Sequence, residues 1–208
     1  MNLSSYADLQ AAIADFINRT DLDDVIPAFI ALAEAQMNRG LRCRRMIGRS
    51  HADLDSEFTE VPPDFIGPID FFVKTDPPCQ IAFVDSADLL AHKAAGLYAP
   101  FFSPVEYALV GDELQLLPAP ESPVSAELTY WKRPPRLSGS NTSNWVLMNH
   151  PDIYLYGALV QASPYLGDDE RAALWSTLFT RAIAEANAGD PVPTHETRLR
   201  ADCELFSR

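Results

Sequence analysis

IPAFIALAEAQMNRGLRCRRMIGRS, residues Ile26 to Ser50, changes character halfway along. With Val25 just ahead of it, the first half sets Ile26, Phe29, Ile30, Ala33 and Met37 at three- and four-residue steps, which gathers them into one apolar stripe of a helix. Pro27 falls in the first turn, where a missing N–H costs least, and Gly40 stands where such a helix stops. Beyond Gly40 the helical period is gone. Arg39, Arg42, Arg44, Arg45 and Arg49 then place five of the chain's 16 basic residues within eleven positions, and the alternation of Arg42 and Arg44 with Cys43 and Arg45 reads as an exposed extended segment. This point divides helical sequence from sequence of another kind.

Upstream, SSYADLQAAIADFINRT reads as a first helix, with Leu9, Ile13, Phe16 and Ile17 at helical spacing, Ser4 or Ser5 as N-cap and Asp8 in the first turns. Downstream, from Leu41 to about Lys132, the period shortens. FTEVPP, IDFFV, CQIAF, EYALV, ELQLLP and AELTYW are short, rich in β-branched or aromatic residues, and separated by Pro and Gly. Gly111-Asp112 supply a two-residue hairpin turn, and in SAELTYWK the residues Ala126, Leu128 and Tyr130 face away from Glu127, Thr129 and Trp131. DSADLLAHKAA, residues 85–95, is one short helix among these strands, capped by Asp85 or Ser86.

Helical sequence returns at His150-Pro151. HPDIYLYGALVQASPYL is apolar all round, as a central buried helix is, and GDDERAALWSTLFTRAIAEANAGD sets Leu174, Trp175, Leu178, Phe179 and Ile183 on one face. The residues from Asp190 onward open with two prolines and keep no period. The expected class is α+β: an α-helical bundle of two N-terminal and two C-terminal helices (1–41 and 145–189), an inserted β-rich lobe (42–144) and an extended C-terminal tail (190–208).

Composition narrows the function classes. At 208 residues and 47% hydrophobic the chain can bury one good core, or a core and a satellite. No apolar run is long enough to span a bilayer and no signal-peptide pattern opens the chain, so a soluble protein that stays where it is made is expected. Cys43, Cys79 and Cys203 are odd in number and far apart, which reads as three free thiols. A net charge of −13 opposes tight binding to a phosphate backbone.

Chemistry-bearing spacing is thin. The histidines at 51, 92, 150 and 195 are scattered, which gives no metal site, and no nucleophile elbow, Walker loop or dinucleotide fingerprint is present, so no catalytic residue, metal or cofactor is assigned. Asp23-Asp24 and Asp168-Asp169 sit at expected helix starts, where carboxylates favour the dipole. Three readings of the arginine cluster stay open: capping of the preceding helix, ion pairing with carboxylates across a protein interface, or contact with nucleic acid.

Two blocks carry a resemblance. SYADLQAAIADFINRTDLDDVIPAFIALAEAQMNRGLRCRRM, and ELTYWKRPPRLSGSNTSNWVLMNHPDIYLYGALVQASPYLGDDERAALWSTLFTRAIAEANA, resemble the opening and closing blocks of the tailed-bacteriophage adaptor (head-to-tail connector) family. An extra proline in RPPRL and a looser middle, Asp53 to Pro123, are the departures. The resemblance implies a structural virion protein of the neck, assembled in the host cytoplasm as a ring of about twelve copies beneath the portal protein and joining it to a tail or head-closure protein, with DNA passing through unread. With such a ring in view, the arginines at 39, 42, 44, 45 and 49 are expected to pair with a neighbouring subunit. The resemblance also implies that Arg198, Leu199, Arg200, Leu205 and Phe206 dock the tail on the portal. A tail-completion or head-closure protein, or an acidic cytoplasmic enzyme, are the alternatives.

Overall fold

The computed structural model describes residues 3–98, 103–167 and 169–192. In chain order these form α1 (Tyr6–Ile17), α2 (Ile26–Gly40), a 3-10 turn (Arg44–Met46), β1 (Ile47–Leu54), β2 (Phe58–Glu60), β3 (Phe65–Val73), β4 (Cys79–Gln80) and β5 (Ala82–Phe83). They continue with α3 (Ser86–Ala94), β6 (Glu106–Val110), β7 (Glu113–Leu117), β8 (Val124–Lys132), α4 (Trp145–Asn149), α5 (Pro151–Leu166) and α6 (Asp169–Gly189). The described residues are thus α+β, with six α-helices and two sheets. Two compact units divide the chain at Met46/Ile47 and again at Lys132/Arg133.

In the helical unit, α1 starts on a reciprocal capping box. Ser5 Oγ accepts from the Asp8 N–H and the Asp8 carboxylate accepts from the Ser5 N–H, satisfying two end-of-helix donors. α5 is the centre: it packs on α1, α2, α4 and α6 and buries residues around its whole circumference, from Ile153 and Tyr154 to Ala162 and Ser163. Gly157 lets its neighbours approach. A Cβ there would stand 2.9 Å from Phe179 Cε2 and 3.0 Å from Ala33 Cβ, so α2 and α6 both close on this one point. α6 turns Phe179, Ala182 and Ala186 inward, with Trp175 half-buried. Leu174, expected on that face, is 53% exposed, because the inward stripe runs through the small alanines rather than through the larger leucine.

The strand unit holds two four-stranded sheets, ordered β1-β8-β3-β4 and β2-β7-β6-β5, antiparallel except for the β5–β6 pair. Their shared core takes Leu54, Phe71, Val73, Ala126, Leu128 and Tyr130 from the first sheet and Tyr107, Leu114 and Leu116 from the second. The hairpin turn is where the sequence puts it: Val110 pairs with Glu113, and Gly111 has φ +63°, a backbone region that glycine enters without strain. α3 starts at the Asp85 cap and seats Leu89 against Ala108 and Leu117, on the other face of the second sheet.

Four local expectations are corrected. β1 escaped notice because its outward residues, Arg49, His51 and Asp53, mask its strand character. CQIAF is two strands in two different sheets, parted at Ile81. Residues 133–144 belong with the helices, held there by hydrogen bonds to Glu34 and among themselves. Cys43 is a free buried thiol, whereas Cys79 is disulfide-bonded rather than free; Cys203 lies outside the described residues.

Candidate functional site

The arginine segment is built from the end of α2 forward. Arg39 Nε donates to the Ala35 carbonyl at 3.3 Å, and Arg42 donates to the Asn38 and Leu41 carbonyls at 2.9 and 2.6 Å. The Asn38 and Leu41 carbonyls belong to the end of the helix, where no intrahelical N–H is left to reach them and a cation is stabilising. α6 completes the cap. Asn187 Oδ1 accepts from the Arg42 N–H at 2.7 Å and its Nδ2 donates to the Gly40 carbonyl at 3.1 Å, so one amide side chain satisfies both sides of the break.

Asp190 closes the next step. Its carboxylate accepts from Arg44 Nε at 2.9 Å and from the Arg45 N–H at 3.2 Å, and its carbonyl accepts from the Arg44 N–H at 3.0 Å. These contacts fold residues 44–46 into a 3-10 turn instead of the extended segment expected, and bury Cys43, whose thiol burial pushes toward a higher pKa. In the strand unit, Arg49, His51 and Lys74 surround Glu127 at 3.6, 3.5 and 3.7 Å on the outer face of the first sheet. Arg44 and Arg49 remain 68% and 72% exposed, so their ion pairs are screened and weak. Arg198, Leu199, Arg200, Leu205 and Phe206 lie outside the described residues.

A polar knot inside the helical unit was not foreseen. Glu34, 5% exposed, accepts from the Leu137 N–H at 2.8 Å and from the Tyr154 hydroxyl at 3.0 Å. Asn144 donates to Tyr154 Oη at 2.6 Å and to the Pro135 carbonyl at 2.7 Å, while its Oδ1 accepts from the Leu147 N–H and caps α4. Burial raises the Glu34 pKa, with the Leu137 N–H pulling the other way; burial and then the Glu34 charge push Tyr154 upward. The signal was in the sequence: Glu34 stands four residues after Ile30 and three before Met37, on the buried stripe itself. The knot joins α2, α4, α5 and residues 133–144, and its groups are spent on one another, as in a structural network.

Among the described residues no group of three or more His, Cys, Asp or Glu is placed to hold a metal ion, and no helix is long and apolar enough to cross a membrane. What the residues above assemble are clasps between segments and exposed charged faces. Residues 4–200 match the SU10 adaptor protein family, and the chain belongs to that family of phage structural adaptors. No curated protein matches the chain.

Proposed function

We propose that this chain is a head-to-tail connector: it forms a ring below the portal and links the DNA-filled capsid to the tail, with DNA passing through the lumen. The observation that carries the reading is the family match over nearly the full chain. A ring of about twelve identical subunits needs two different faces of each copy to meet. A net charge of −13 suits a conduit past which a duplex slides without sticking.

Under this reading the basic segment has two jobs. Arg42 spends its guanidinium on its own helix end, while Arg39, Arg44, Arg45 and Arg49 keep exposed side chains that can reach carboxylates of a neighbouring copy, Arg44 and Arg49 by exchanging weak internal pairs. The C-terminal residues Arg198, Leu199, Arg200, Leu205 and Phe206 dock on the portal, and a tail or head-closure protein binds the opposite side. Two experiments test this. Electron microscopy of virions carrying a tagged copy places the tag at the neck between capsid and tail; a tag found elsewhere, or absent from virions, overturns the connector role. Deleting residues 194–208 abolishes portal binding while the circular dichroism spectrum is kept; undiminished portal binding overturns the docking role of the tail.

A further inference from the structure

The chain has three cysteines, and the structure divides them. Cys43 is a free thiol, 1% exposed within the helical unit, and burial pushes its pKa up, so it is both covered and held protonated. Cys79 is disulfide-bonded. It begins β4, an edge strand of the first sheet, and pairs there with Val73. Residues 74–78, just before it, are all exposed, and Cys79 is itself only half-buried, so a small reductant reaches this bond from solvent. The one cysteine left in the sequence to supply the second sulfur is Cys203.

Cys203 stands inside the segment given above to the portal. Arg198 is five residues before it, and Leu205 and Phe206 follow it by two and three. An extended chain from Val192 to Phe206 reaches about 50 Å. Fixed at Cys203, the same chain keeps Phe206 within about 11 Å of that residue and Arg198 within about 18 Å. A bond at this position restrains all the docking side chains together, and its opening returns their full reach.

We infer that Cys79 and Cys203 form a redox latch: joined, they hold the tail to the strand unit and away from the portal, and separated, they release it to dock. This rests on the portal-docking reading of the tail above. Closure removes two electrons and two protons from the two thiols, and a small disulfide of the glutathione class accepts them. One cysteine thiolate displaces a small thiol to give a mixed disulfide; the other then attacks the first cysteine's sulfur and displaces the second small thiol. A small dithiol reverses both steps. The host cytoplasm, where the ring assembles under that reading, keeps such thiols reduced. Tails are therefore free where portals are being fitted, and a subunit left unassembled in an oxidising medium is closed.

The test uses the full-length protein, oxidised with glutathione disulfide or reduced with dithiothreitol. Digestion without reductant, followed by mass spectrometry, is expected to yield a Cys79–Cys203 peptide pair from the oxidised single chain, with Cys43 unbonded. Cys79 found unbonded, or joined to Cys43 or to a second chain, overturns the latch. Binding to purified portal protein is followed by sedimentation, with circular dichroism as the control for folding. The reduced wild type is expected to bind about tenfold or more tightly than the oxidised. Cys79→Ser and Cys203→Ser, either of which breaks the latch, are expected to bind equally well under both conditions; redox-sensitive binding that persists in them overturns it. Equal binding by both forms of the wild type overturns the latch and leaves the tail its docking role. Reduced protein that fails to bind the portal at all overturns the docking role and the latch with it.

Discussion

Glu34 is the residue on which the helical unit turns. It receives two buried donors, so Glu34→Ala leaves the Leu137 N–H and the Tyr154 hydroxyl unpaired, at about 1–3 kcal/mol each, and chemical denaturation will show a correspondingly large loss of stability. Tyr154→Phe removes the donor to Glu34 and the acceptor for Asn144 Nδ2, while the Leu137 N–H and the Pro135 carbonyl remain as partners, so about 1–3 kcal/mol is expected. The pH dependence has a definite sign. Burial raises the Glu34 pKa, so the folded state holds its proton to higher pH than the unfolded chain. Its favourable contribution is therefore complete below the ordinary glutamate value of about 4.3 and is lost as pH rises through the folded value. Glu34→Gln keeps the accepting oxygen and cannot titrate. Relative to the wild type it should gain stability across that window, and a constant difference between the two from pH 4 to 7 would show that Glu34 does not titrate there.

α5 shows how closely the helices are fitted. Gly157→Ala sets a methyl against Phe179 and the Cβ of Ala33, one a ring that can tilt and the other fixed to a helix backbone, so about 1–3 kcal/mol of destabilisation is expected, read as a lower melting midpoint. Asn187→Ala strips the amide that spans the break after α2; it should cost about 1–2 kcal/mol and speed amide exchange at Arg42. Elements of this kind were legible where local chemistry decides them. Ser5 and Asp8 announced α1, Gly111 announced the hairpin, Asp85 announced α3, and the all-round apolar pattern of α5 announced its central place. Elements decided by distant partners were not. β1 is a strand because β8 pairs with all eight of its residues, and residues 44–46 turn because Asp190, far along the chain, holds the Arg44 and Arg45 N–H groups. The same division runs through the candidate site. The arginines stood out by composition, but Asn187 and Asp190, the residues that engage four of their polar atoms, carry no local mark.

The chain is acidic and locally basic, and its described residues form a helical unit from two stretches on either side of a strand unit. Such a charge balance predicts that the purified protein is not retained on duplex DNA at physiological salt, which electrophoretic mobility checks; strong retention that weakens steeply with salt would mean that the arginines bind phosphate. The most direct measurement is the mass of the protein by sedimentation, alone and then with purified portal protein. The connector account predicts a complex in which many copies join one portal assembly, and a protein that stays a single subunit in the presence of the portal would contradict it.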